Sequence, residues 1–315
     1  MKFHLNYTPA APGFEIDHGH ALFLVGSCFS ENIGKLLHDT KFKVQNNPWG
    51  ILFNPLSIHN CLDTLVCAKP FDETLVLQRG DEYLSYWHHS SVNNNNHQTL
   101  VSAINANNKT VRASLITSDH LFITFGTAYY YYHKTLKLAV ANCHKQPGNL
   151  FEKKLLSVAE IIEAYTLLLQ QLKKLNPKLK IIFTVSPVKH LKDGVVENNI
   201  SKSTLILAIH ELTKAHDHCS YFPAYELIND DLRDYRFYKS DMAHPNEQAV
   251  DYVWEKFSNC YFSEQTRHIN QLIESLNKAL AHRQLSSDSQ GQSPLQDYIE
   301  KQKAEIRKLL PGFSL

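Results

Sequence analysis

Along the first 260 residues, short runs of consecutive apolar residues alternate with longer stretches whose apolar positions recur every three or four residues. Leu22-Phe23-Leu24-Val25, His120-Leu121-Phe122-Ile123-Thr124-Phe125-Gly126 and Lys180-Ile181-Ile182-Phe183-Thr184-Val185 are of the first kind and predict strands buried on both faces. Shorter strands are expected at Phe42-Lys43-Val44 and Tyr221-Phe222-Pro223-Ala224. The second kind predicts helices over residues 30–38, 56–67, 100–116, 157–175 and 199–217, and one beginning at Pro245. Continuous apolar strands alternating with helices indicate an α/β fold, a mostly parallel sheet covered on both faces.

Three stretches depart from this rhythm. Residues 1–21 carry Pro9, Pro12 and Gly13 and read as an irregular lead-in. Residues 72–100 place Leu75-Val76-Leu77 and Tyr83-Leu84-Ser85-Tyr86-Trp87 around Arg79-Gly80-Asp81, a β-hairpin insertion expected to form a flap near the site. Tyr129 to Tyr132 with residues 136–142 predict a second small hairpin, the tyrosines alternating between core and surface. Beyond residue 263 the chain turns helical and charged around a polar stretch at 286–292. The expected organisation is a domain at 1–262, carrying the 72–100 insertion, and a C-terminal helical extension at 263–315.

Composition narrows the function classes. A length of 315 residues, 43% hydrophobic and 20% charged, describes a globular chain with a sizeable core. A net charge of +1 gives no reason to expect nucleic acid or an anionic membrane as partner. No apolar run reaches the roughly 18 residues of a membrane span, and Met1-Lys2-Phe3-His4-Leu5-Asn6-Tyr7 lacks the apolar core of a signal peptide, so a cytoplasmic location is expected. Six cysteines without a C-x-x-C pair suit a reducing compartment rather than disulfides, and eighteen histidines show no metal-ligand spacing. No metal or organic cofactor is called for.

The chemistry concentrates at two places. Leu22-Phe23-Leu24-Val25 stops at Gly26-Ser27, and a helical spacing follows at once, so Ser27 stands at the carboxyl edge of a sheet beside a helix N-terminus. A serine hydroxyl needs a base to become a nucleophile. Asp241-Met242-Ala243-His244-Pro245, about 215 residues on, offers His244 as base and Asp241 as the carboxylate that orients it. Each motif alone also reads as helix capping; paired at the first strand and last helix of one α/β chain, they form a plausible Ser-His-Asp triad. Gly50, Gly126 and Ser186 also fall just past strand ends and are expected to converge on the same edge. Cys28, next to the serine, reads as a small packing residue rather than a nucleophile.

Gly26-Ser27-Cys28-Phe29-Ser30 resembles the signature of the GSCFA domain family, with Ser30 where the family name has alanine. The resemblance runs from about residue 20 to 260, through Asn47-Pro48-Trp49-Gly50-Ile51-Leu52-Phe53-Asn54-Pro55, Phe125-Gly126-Thr127-Ala128, Ala141-Asn142-Cys143-His144-Lys145 and Phe183-Thr184-Val185-Ser186-Pro187-Val188-Lys189-His190 to the Asp230–His244 segment. That family is similar to the SGNH/GDSL hydrolases. The resemblance implies a three-layer α/β/α flavodoxin-like fold, with Ser27 as nucleophile, His244 as base and Asp241 as orienter. It also implies oxyanion donors from Ser27 and from a glycine after the second strand, matched by Gly50. The family pattern's Gly-x-Asn-Asp is here Gly126-Thr127-Ala128-Tyr129; Asn142 is the first candidate to replace the missing asparagine, with a hairpin-turn role as its alternative.

Trp49, Gly126, Thr127, Tyr129, His144 and Ser186 complete the candidate substrate-binding set, with core packing the competing account for Trp49 and Tyr129 and a solvated loop for His144. The expected activity is hydrolysis of an ester, the acyl or acetyl group carried by a small molecule or carbohydrate. Acyl transfer on the same fold is the near alternative. A non-catalytic scaffold with a degenerate oxyanion hole is the distant one. Oligomeric state is not legible.

Overall fold

The consecutive apolar runs become neighbouring strands of one parallel sheet, because both faces of each strand are covered. In the computed structural model, residues 5–285 and 294–312 are described. The chain runs through β1 (Ala21–Gly26), α1 (Cys28–Asp39), β2 (Lys43–Asn46) and α2 (Pro55–Val66). An accessory sheet of β3 (Val76–Arg79), β4 (Glu82–Ser85) and β5 (Asn93–Asn94) follows, then α3 (His97–Thr117) and β6 (His120–Phe125). A second accessory sheet holds β7 (Tyr129–His133), β8 (Leu138–Val140) and β9 (Phe151–Leu155). After α4 (Val158–Leu175) come β10 (Lys180–Val185), α5 (Val195–Ala215), β11 (Cys219–Tyr221) and the short α6 (Ala224–Glu226). The chain continues through α7 (Glu247–Tyr261), α8 (Glu264–Leu285) and α9 (Pro294–Leu309).

The main sheet has the order β2-β1-β6-β10-β11, with parallel pairing throughout. The chain leaves β1 outward to β2, then returns past β1 to β6 and continues through β10 to β11. The order therefore reverses between β1 and β6, and in such sheets a crevice opens beyond the carboxyl ends at that reversal. This is the doubly wound, flavodoxin-like arrangement expected from the sequence.

Alternate residues of each strand serve opposite layers. Phe23, Val25, Ile123 and Phe183 pack with Leu62, Leu115, Leu168 and Leu205 from α2, α3, α4 and α5. Leu22, Leu24, Phe122 and Ile182 pack with Ile33 and Leu37 of α1 and with Val253 and Phe257 of α7. Truncating one such ring, for example Phe122→Ala, costs on the order of 3–5 kcal/mol.

Several boundaries differ from expectation. The last helix of the main unit starts at Glu247, not Pro245: Asn246 caps it, accepting from Ala249 N–H at 3.0 Å, while Pro245 bridges Tyr238 outside the helix. Helix α5 starts at Val195, four residues early, after Gly194. Strand β11 covers Cys219–Tyr221 instead of 221–224, since Pro223 cannot donate to a ladder. The polar asparagines of the 72–100 insertion pair as β5, and the charged stretch Phe151–Leu155 supplies β9, a strand with no apolar run to announce it. Among the described residues α8 and α9 pack on each other through Ile269, Ile273, Leu276, Ile299 and Ile306. Asn277 Nδ2 donates to Asp39 O at 3.0 Å, fastening α8 to the end of α1. The polar stretch at 286–292 lies outside the described residues. No helix among the described residues is long and apolar enough to cross a membrane.

Candidate active site

Ser27 stands where β1 becomes α1. Gly26 adopts φ +141°, and a Cβ there would lie 2.2 Å from Thr124 O, so only glycine lets β1 run this close to β6 before turning. Gly26 N–H donates to Asn47 Oδ1 at 2.9 Å, and Leu52 N–H donates to Gly26 O at 2.9 Å. Ser27 N–H donates to Thr124 O at 3.3 Å. Ser27 is the N-cap of α1, its Oγ accepting from Phe29 N–H at 3.3 Å. The turn is thus fastened to strands on both sides and is 1% exposed.

Asp241 and His244 form a pair within one loop. Asp241 Oδ2 meets His244 Nδ1 at 2.6 Å, and Oδ1 accepts from Ala243 N–H at 2.9 Å and His244 N–H at 3.0 Å. These donors, the His244 backbone first, hold the Asp241 carboxyl well below the usual carboxylate range. With Nδ1 committed to the carboxylate, Nε2 is the nitrogen left to exchange a proton. Lys239 N–H donates to His244 O at 2.7 Å, and Lys189 N–H from the loop after β10 donates to Ala243 O at 3.0 Å. Lys189 Nζ is sandwiched over Tyr235 and Tyr238, 4.2 and 4.3 Å from their ring centres, bracing the same junction. Ser27 Oγ makes its hydrogen bond to Phe29 N–H and none to His244.

Two further residues stand at the carboxyl ends of β6 and β10, and neither was singled out from the sequence as a site residue. Lys202 of α5 is 1% exposed and donates from Nζ to Gly126 O at 2.6 Å and Ser186 O at 2.7 Å, clasping the carboxyl ends of β6 and β10. Burial pulls its pKa down to about 7. His190 Nε2 lies 3.5 Å from where a Cβ on Gly126 would be. Burial, then the nearby Lys202 charge, lower its pKa to about 4, with His244 adding a smaller push in the same direction. Burial pushes the Cys28 thiol up, away from the thiolate a nucleophile requires.

The remaining expected site residues divide clearly. Gly126 and Ser186 do lie at the sheet edge, Ser186 N–H donating to Phe125 O at 2.8 Å. Thr127 pairs its hydroxyl with Ser201 Oγ at 3.0 Å and is 8% exposed, so it packs rather than binds. Tyr129 lies on β7 with the Lys153 ammonium 4.6 Å from its ring centre. Gly50 N–H is spent on Asn47 O at 2.8 Å, closing the turn that precedes α2, and is not free for an oxyanion. Asn142 lies just past β8, and its Oδ1 accepts from His144 N–H at 2.8 Å, the geometry of a turn residue. His144 is 2% exposed with Nε2 2.7 Å from Ser85 O, neither solvated nor available to a ligand. Trp49 is 1% exposed, its Nε1–H donating to Asn108 Oδ1 at 2.9 Å in the core. Among the described residues no group of three or more His, Cys, Asp or Glu side chains gathers as metal ligands would.

A serine turn at the topological reversal and a carboxylate–imidazole pair on a loop tied to the segment after β10 are the chemistry-bearing features of this α/β protein. The family model of the GSCFA family matches residues 21–257, and the chain belongs to that family. Among solved structures it is similar to a Streptococcus pneumonia protein provisionally described as a platelet activating factor. That likeness is 11% identical, covers 76% of this chain and 83% of that one, and has a TM-score of 0.39. It is also similar to a carbohydrate esterase family 3 protein from Talaromyces cellulolyticus, at 10% identity, 81% and 99% coverage and a TM-score of 0.37. Comparison with the curated proteins gives no match.

Proposed function

We propose that this protein is a serine hydrolase that cleaves an ester through Ser27, His244 and Asp241, with an acylated carbohydrate the first substrate class to test. The observation that carries the reading is the 2.6 Å contact between Asp241 Oδ2 and His244 Nδ1, which leaves Nε2 as base on a loop pinned to the sheet edge that bears Ser27. In the reaction Ser27 Oγ bonds to the ester carbonyl carbon as His244 takes its proton. His244 then protonates the departing alcohol, and water repeats the sequence to release the acid. An alcohol in place of that water gives acyl transfer with the same residues. Ser27 Oγ must first leave the Phe29 N–H, a rotation about one side-chain bond.

One observation favours a second reading. Ser27 is 1% exposed and its hydroxyl already serves as a helix cap, which a non-catalytic scaffold would also require. Activity-based labelling with a fluorophosphonate separates the two. The hydrolase reading expects covalent labelling of Ser27, abolished in Ser27→Ala and slowed by at least about 10⁴-fold in His244→Ala. A folded wild type inert to the probe between pH 5 and 10 would leave the scaffold.

A further inference from the structure

This inference rests on the hydrolase reading above and adds a residue to it. Acyl transfer through a tetrahedral intermediate requires hydrogen-bond donors where the carbonyl oxygen becomes an oxyanion. Two of the donors expected from the sequence are committed elsewhere, Gly50 N–H to Asn47 O and Ser27 N–H to Thr124 O, and Asn142 lies past β8 with its Oδ1 held in its own turn. We propose that His190 is a further catalytic residue, its ring N–H donating to the acyl oxygen of the substrate from a position over Gly126, one strand across from Ser27.

The placement follows from strand register. Gly26 pairs with Thr124 across β1 and β6, and Val185 pairs with Phe125 across β6 and β10. Ser27, Gly126 and Ser186 therefore follow the last paired residues of three adjacent strands. His190 folds back over the middle one, its Nε2 3.5 Å from the position of a Gly126 Cβ. Its ring meets Phe53 edge-on, centroids 5.8 Å apart at 81°. Neither ring nitrogen has a hydrogen-bond partner among the described residues, whereas the backbone around it is held firmly. His190 N–H donates to Asn198 Oδ1 at 2.9 Å, and the neighbouring Lys189 N–H holds Ala243 O. The residue thus sits on the loop whose backbone also holds the Asp241–His244 segment.

The charge state suits the task. Burial and the Lys202, Lys153 and His244 side chains all disfavour a second proton on His190, and only Asp193 opposes them, so the ring stays neutral with one N–H to give. Two imidazoles then divide the work: His244 is coupled to a carboxylate and cycles its proton, and His190 keeps its own. As the Ser27 Oγ–carbon bond forms, the carbonyl π pair moves to oxygen and His244 Nε2 accepts the hydroxyl proton. When the π bond re-forms, the bond to the alcohol oxygen breaks and that proton leaves on the alcohol. His190 changes only the strength of its hydrogen bond.

The test compares His190→Gln, which retains an N–H donor, with His190→Phe, which retains a ring without one, by fluorophosphonate labelling rates of the full chain. The proposal expects His190→Phe to label about 100-fold more slowly than wild type and His190→Gln to recover most of that loss. A packing role predicts the reverse order, so His190→Phe reacting as fast as His190→Gln overturns the proposal. Thermal melts identify a variant that fails to fold, and His190→Ala then replaces His190→Phe. A wild type labelled at Ser27 with unaffected His190 variants removes His190 alone; an inert wild type removes the nucleophile, and His190 with it.

Discussion

Ser27 is 1% exposed and sits in a turn stitched to strands on either side, whereas Asp241 and His244 each leave 48% of their side chains open to solvent. The serine turn is an extension of the core and takes its position from the sheet. The Asp241–His244 segment is a surface loop that takes its position from an Asx turn and a few clasps to its neighbours. A substitution on the interior side perturbs folding and chemistry together. On the surface side it reports chemistry nearly alone.

The largest effect that sharpens this contrast is expected from Asp241→Asn. Loss of the carboxylate removes the control of the His244 tautomer, and labelling should slow by about 10³–10⁴-fold. The residue is exposed, so urea unfolding at pH 7 should show far less loss than a substitution in the core. The sign with pH is fixed as well. The Asp241 pKa is lowered on folding, so its contribution is present above its unfolded value of 3.8 and lost as pH falls through the lower folded one. A variant that loses stability heavily at neutral pH would break the contrast.

Lys202→Met probes the interior side. It leaves Gly126 O and Ser186 O without their donor, and a loss of about 2 kcal/mol is expected at pH 7. Burial lowers the Lys202 pKa to about 7 from an unfolded value of 10.5, so between those values the unfolded chain binds more protons and wild-type stability rises with pH. The variant lacks that rise. Its deficit against wild type should widen from pH 7 to pH 10, measured by urea midpoints at each pH.

Legibility in the sequence follows the same division. The main sheet was readable because strands covered on both faces have no polar alternation, as in Leu22-Phe23-Leu24-Val25. The Asp241–His244 pair was readable because three residues of spacing close it locally. Lys202 and His190 were not. A lysine on a helix reads as solvated until the fold carries it to Gly126, 76 residues away, and His190 gains meaning only from Gly126 and Phe53. Trp49 and His144 have the right chemistry for ligand contact but are buried by Asn108 of α3 and the Ser85 carbonyl, partners that no local spacing announces. The registers of the accessory sheets escaped for a related reason: β5 and β9 are polar segments whose pairing comes from tertiary contact.

The smallest effect tests Ser27 as a part of the fold. Its hydroxyl accepts from Phe29 N–H at 3.3 Å, a long bond, so Ser27→Ala should cost up to about 1 kcal/mol and Ser27→Gly only a few tenths, glycine being tolerated at an N-cap. Both variants lose the proposed nucleophile and should lose labelling equally. Urea unfolding of the pair therefore reads the cap while the probe reads the chemistry. Equal stability of wild type and both variants would mean that the hydroxyl spends its time away from Phe29. A full cap penalty in Ser27→Ala, joined to a wild type that never labels, would assign Ser27 to the architecture of α1 and return the crevice to the scaffold reading.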